Sequence, residues 1–300
     1  MMRTLCLFTL LAACAGKDDA TEADSGASAT ATPAPASDPD VDTYVPPEWG
    51  PTEPVRVVYL GDSITAGVGA SKNSLAYTAL LAEDRSAKWS DYADLDLEST
   101  FSAIEVVDVS VGGATTNSLI NGQLPALDAQ LGATASGETI VVMTIGGNDA
   151  QNALNPLVEP REILDALIAN IEIIVDDLQA RFPDGVYIYA TNVYEPTDGV
   201  GTYAGCFFGI SFLERLPELY RAEDEFRSLA ERKGFAAIDL RGHFEGHGFN
   251  AGDSSIEAYD AEDPSLWFED DCIHPNDRGH HELRRLFHAA IQGIDLPLEP

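Results

Sequence analysis

Basic residues are scarce. Seventeen Lys and Arg stand against fifty Asp and Glu in 300 residues, a formal net charge of −33. A surface so acidic repels phosphate backbones, which excludes nucleic acid as a partner and disfavours docking on anionic lipid heads. The acidity names no substrate by itself and reads as a solubility adaptation. Long apolar runs are also missing: Leu5 to Ala13 is too short to span a bilayer as a permanent helix. Residues 15 to 52 hold almost no large aliphatics and are rich in Ala, Ser, Thr, Pro and Asp. Such a segment cannot bury enough apolar surface to offset its ordering entropy. No internal repeat and no second domain can be discerned.

The N-terminus reads as an export signal, with Met1-Met2-Arg3 as its basic start and Leu5–Ala13 as its apolar stretch. Leu11-Ala12-Ala13-Cys14 resembles a bacterial lipobox, in which cleavage precedes the cysteine and Cys14 is lipidated. An ordinary cut after Ala15 is the alternative, since small residues stand there too. The expected organisation is a signal over 1–13, a lipid anchor with a disordered acidic tether over 14–52, and one domain over 53–300. Ala15 rather than aspartate after Cys14 points to the outer membrane or cell surface. Of four cysteines, Cys6 leaves with the signal and Cys14 carries lipid. Cys206 and Cys272 remain, and in an exported domain they are expected to pair.

From Val55 onward, short strand-like runs alternate with helical stretches. The runs are Val55–Leu60, Ile104–Val109, Thr139–Ile145, Gly185–Ala190 and Phe235–Asp239. Near-continuous apolarity in short runs marks strands buried on both faces. Three amphipathic helices are expected: Pro160 to about Phe182, Leu216 to Lys233, and Asn276 to Ile294. Strand and helix in alternation imply an α/β fold with a parallel sheet covered on both faces. Reactive groups then gather in the loops at the carboxyl ends of the strands.

Those loops hold the chemistry. The first run ends in Gly61-Asp62-Ser63, a tight turn that can expose the serine hydroxyl. The second leads into Val111-Gly112-Gly113-Ala114, and the third into Gly146-Gly147-Asn148-Asp149. Near the C-terminus stands Asp271-Cys272-Ile273-His274-Pro275. A turn there can offer the Asp271 carboxylate to one imidazole nitrogen and leave the other for Ser63. Serine needs such a base, because its hydroxyl is a weak nucleophile at neutral pH. His243, His247 and His280-His281-Glu282 complete no metal motif and read as loop histidines. Tyr203, Phe207, Phe208 and Phe212, like Trp267 and Phe268, could wall a substrate pocket or pack the protein. Glu223-Asp224-Glu225 reads as a solvated face.

In order, Gly61-Asp62-Ser63, Gly113, Gly146-Gly147-Asn148-Asp149 and Asp271-x-x-His274-Pro275 resemble the four sequence blocks of the SGNH, or GDSL, hydrolases. The resemblance covers 55–294. It implies a three-layer α/β/α sandwich with a flavodoxin-like parallel sheet of about five strands. It further implies Ser63 as nucleophile, His274 as base and Asp271 as its orienter. Ser63, Gly113 and Asn148 would form the oxyanion hole. No metal and no organic cofactor are implied. Asp108, where many members carry Asn, and Cys272, where many carry a small residue, depart from the pattern. The expected activity is hydrolysis of a small-molecule or glycan carboxylic ester through an acyl-serine intermediate. The alternatives are an acyltransferase or deacetylase acting on cell-envelope polysaccharide, and a non-catalytic surface-binding lipoprotein.

Overall fold

Strand β1, Arg56–Gly61, sends Val57 and Tyr59 to one side and Val58 and Leu60 to the other, all buried. The same double burial holds for β3, Thr139–Thr144. Strands β2, Glu105–Asp108, β4, Val186–Thr191, and β5, Ala236–Ile238, complete one five-stranded sheet. Its order is β2-β1-β3-β4-β5 and every pairing is parallel. This is the flavodoxin-like order, with its switch point between β1 and β3. The sheet matches the expected fold class. The computed structural model describes residues 43–46, 49–155, 157–202 and 211–294. The signal segment, Cys14, Tyr203, Cys206, Phe207 and Phe208 lie outside the described residues.

Nine α-helices are found among the described residues. Short ones are α1, Tyr77–Ala82, α2, Leu97–Phe101, and α3, Thr116–Ser118. A π-turn, Leu119–Gln123, joins α3 to α4, Leu124–Leu131. Then come α5, Gly147–Ala153, and the long α6, Pro160–Arg181, opened by its proline. Leu216–Lys233 is α7, Leu240–Phe244 is α8, and Asp277–Gln292 is α9. One face of the sheet packs with α4, α6 and α7 through Val58, Met143, Ile174 and Phe226. The other packs with α1, α8 and α9 through Tyr59, Val142, Leu283 and Phe287. No described helix is long and apolar enough to cross a membrane.

Three expectations change. The tether does not run free to residue 52, because Tyr44 pairs with Ala237 of β5 through bonds of 2.7 and 2.8 Å. Trp49 also packs on Tyr187 and Tyr189. Glu223 is not on a solvated face: it is buried on α7, and its carboxylate accepts from Arg241 Nε at 2.6 Å. Of the four histidines expected in loops, His247 lies in one and the other three do not. His280 and His281 are buried on α9, and His243, on α8, reaches Glu282 at 2.9 Å. Burial pushes the His280 imidazole down to about 4, so it stays neutral while bonded to Val68 O and Tyr77 N.

Candidate active site

The nucleophile turn begins at a residue that only glycine can occupy. Gly61 has φ +143°, and a Cβ there would lie 2.2 Å from the Thr144 carbonyl oxygen. The side-chain amide of Gln123, carried by the π-turn, clamps the Gly61 backbone at 2.9 and 2.7 Å. Beneath the turn, Thr65 Oγ1 joins Leu60 O, Tyr77 OH and Thr144 Oγ1. Asp62 is buried, and its Oδ1 accepts the Ile64 N–H at 3.0 Å. Burial pushes its carboxyl up to about 7, with a small further rise from Asp149. Ser63 is thereby held at the rim with its hydroxyl turned outward.

His274 Nε2 lies 2.8 Å from Ser63 Oγ, and His274 Nδ1 lies 2.6 Å from Asp271 Oδ2. The loop carrying both is closed on itself. Phe268 bridges Pro275, Glu269 N donates to His274 O at 2.8 Å, and Asn276 N donates to Trp267 O at 2.8 Å. Asp271 Oδ1 accepts the N–H groups of Ile273 and His274 at 3.0 and 2.9 Å. Partial burial opposes ionisation of Asp271, but these bonds and the imidazole outweigh it and hold the carboxyl below its ordinary value. From below, the Tyr194 hydroxyl donates to Ile273 O. Trp267 and Phe268 are buried under the loop, Trp267 stacked on His247 at 3.5 Å. They pack the protein and do not line the cleft beside Ser63.

The second block arches over the serine: a Cβ on Gly112 would stand 3.9 Å from Ser63 Cβ. Gly113 follows with φ +79° and open space on its Cβ side. Among the described residues, the N–H groups of Ser63 and Gly113 donate to no protein acceptor. Asn148 Nδ2 spends one proton on Ala114 O at 2.9 Å, which leaves its second proton for another acceptor. The loop around Gly113 is tied to Asn148 by a contact not visible from sequence. Asp149 accepts from Thr116 N at 2.9 Å and Thr116 Oγ1 at 2.8 Å, and Asn170 Nδ2 reaches the same hydroxyl at 3.0 Å. Asp108 takes no part in this bracing, since its Oδ1 accepts from Ser110 N at 2.9 Å. Ser63, Gly113, Asn148, Asp271 and His274 therefore converge at the carboxyl ends of the strands.

Beside Ser63 opens a largely apolar cleft whose walls include Ile145, Leu154, Leu164, Val193 and Phe212. Of the four aromatic residues expected to wall a pocket or pack the loop, Phe212 lines it, and the other three lie outside the described residues. Among the described residues no group of His, Cys, Asp or Glu is arranged to hold a metal ion. The arrangement offers a serine hydroxyl bonded to an imidazole that is itself bonded to a carboxylate.

Several solved structures share the fold. The extracellular lipase of Streptomyces rimosus aligns over 80% of this chain and 100% of its own, with 20% identity and a TM-score of 0.50. LAE5, an α/β hydrolase from the metagenome of Lake Arreo, gives 21% identity and 0.52 over 81% and 98%. A variant of an acetyl xylan esterase from Geobacillus stearothermophilus gives 19% and 0.51 over 82% and 98%. Among curated proteins none matches the sequence. The model of the GDSL-like lipase/acylhydrolase family matches residues 59–282, a span that takes in all four blocks. The protein is an esterase-type hydrolase with an α/β/α fold. It belongs to the GDSL-like lipase/acylhydrolase family.

Proposed function

We propose that the chain hydrolyses a carboxylic ester through an acyl intermediate on Ser63. The observation that carries this reading is the unbroken hydrogen-bonded chain from Ser63 through His274 to Asp271, at 2.8 and 2.6 Å. The Ser63 proton passes to His274 Nε2 as Oγ attacks the carbonyl carbon. Asp271 keeps the proton on Nδ1 and supports the imidazolium, without itself being protonated. The oxyanion is received by the Ser63 and Gly113 N–H groups and the second amide proton of Asn148. Each such donor contributes about 3 kcal/mol to barrier lowering. The imidazolium then protonates the departing alcohol, and water, deprotonated by the same nitrogen, releases the acid. Ser63→Ala should lower ester turnover by roughly 10⁴-fold or more in a folded protein. Adding His274→Ala should cost little more, because the residues act as one unit. Near wild-type activity in folded Ser63→Ala protein overturns the reading.

The same reading places the enzyme outside the cytoplasm, anchored through lipid on Cys14, with Cys206 bonded to Cys272 in the catalytic loop. The short apolar leader before Cys14 supports the anchor, and an oxidising compartment supports the bond. Non-reducing peptide mass spectrometry of the membrane fraction checks both. It should find an acylated Cys14 terminus and a Cys206–Cys272 crosslinked peptide. An unlipidated terminus at Gly16 contradicts the anchor, and two alkylatable thiols contradict the bond.

A further inference from the structure

We infer that the cleft beside Ser63 is an acyl site for medium-length aliphatic or aromatic acids, so that the preferred substrate is not an acetyl ester. This rests on Ser63 as the acylated residue. The cleft has a volume of about 100 Å³. A cavity that holds one water needs roughly 10–15 Å³. The methyl of an acetyl group would therefore leave most of the cleft empty, whereas a chain of several carbons or a ring fills it.

The lining settles the chemistry of what enters. Its apolar walls come from the turn after β3 and from α5, α6 and α7, through Ile145, Ala150, Leu164 and Leu219. Three of the polar side chains that line it are committed inside the protein. Asn192 donates to Asp239 Oδ1 at 2.8 Å and accepts from Arg241 N at 2.9 Å. Glu195 receives the N–H groups of Thr197 and Gly199 at 2.8 Å each. Arg215 donates to Ala153 O at 2.9 Å and Val158 O at 3.1 Å. A sugar ring placed here would give up water and gain few bonds, whereas methylenes lose nothing.

Position separates the acyl from the alcohol side. His274 must protonate the leaving oxygen, so the alcohol lies towards His274. His274, Gly112 and Gly113 do not line the cleft, which starts at Ser63, passes Asn148 and Ile145, and is bounded on one side by Cys272 and Ile273 of the catalytic loop. Beyond Ser63 it runs between α5, α6 and α7, past Leu154, Leu164 and Leu219, and the acyl chain is assigned to that stretch. Exposed Val68 and Val111 lie on other loops at this end of the sheet.

A series of nitrophenyl esters from acetate to decanoate, with acetylated xylan alongside, tests the inference. Each methylene that enters the cleft is worth about 4-fold in kcat/KM, so hexanoate should exceed acetate by on the order of 100-fold. Ala150→Phe, which fills the cleft, should reduce the hexanoate-to-acetate ratio at least 10-fold. Phe212→Ala, which enlarges it, should move the optimum to longer chains. Acetate or acetylated xylan as the best substrate, or a chain-length profile unmoved in both variants, overturns the inference. A fluorophosphonate that labels Ser63 separates the two readings. A labelled enzyme that prefers acetate refutes only the acyl site, while no labelling and no ester turnover refutes the hydrolase reading with it.

Discussion

Asp62, next to the nucleophile, is only 2% exposed and lies under the turn that aims Ser63. Its folded form is protonated up to about pH 7, against an ordinary value of 3.8. Unfolding therefore releases this proton between those values. The stability it supports is complete at pH 4 and below, falls as pH rises, and levels off above about 7. Asp62→Asn keeps the acceptor for Ile64 and removes the titration. Chemical unfolding should show little difference at pH 4 and a variant more stable at pH 8, by on the order of 4 kcal/mol at most. A gap that does not widen with pH contradicts this. The motif residues themselves were legible in the sequence, since four short blocks in order name Ser63, Gly113, Asn148, Asp271 and His274. Their supports were not. Gln123 serves Gly61 across 62 positions, and Asp149 serves Thr116 across 33, through side chains that carry no local signature.

At the level of elements, the catalytic loop leans on the loop after β1. Gly69 has φ +100°, and a Cβ there would lie 2.1 Å from the Pro275 carbonyl oxygen and 3.1 Å from His274 Cβ. Gly69→Ala should push the two loops apart, lowering kcat by roughly 100-fold, as small misplacements of triad groups do. Gly132→Ala is the control. Gly132 also has a positive φ, +83°, but caps α4 with only the Thr134 oxygen nearby, at 3.7 Å. It should lose about 1 kcal/mol of stability and keep its kcat. Equal kcat in both variants would show that the Gly69 contact does not position His274. The long helices could be read from sequence because α6 and α7 carry apolar stripes and begin at prolines. Helix α5 could not. Gly146-Gly147 looks like a loop, yet Gly146 caps the helix at φ 109° and Asn148 sits in its first turn. Helices as short as α1 and α3 have too few residues to show a period.

Across the whole molecule, the five expected runs match the five strands in order, because strands buried on both faces advertise themselves as apolar stretches. The seats of Tyr44 and Trp49 were missed for a related reason. Composition averaged over residues 15–52 hides Tyr44 and Trp49, two aromatic residues that find seats on the domain. Tyr44 also covers the open edge of β5, satisfying backbone groups that would otherwise invite another strand.

The central claim is that Ser63 carries the acyl group during turnover. Rapid acid quenching during hydrolysis of a nitrophenyl hexanoate, followed by peptide mass spectrometry, tests it most directly. The peptide containing Ser63 should gain one hexanoyl group that disappears as substrate is exhausted, and His274→Ala protein should accumulate far less of it. Turnover with no acyl group on Ser63, or an acyl group on another residue that persists in Ser63→Ala protein, would contradict the account.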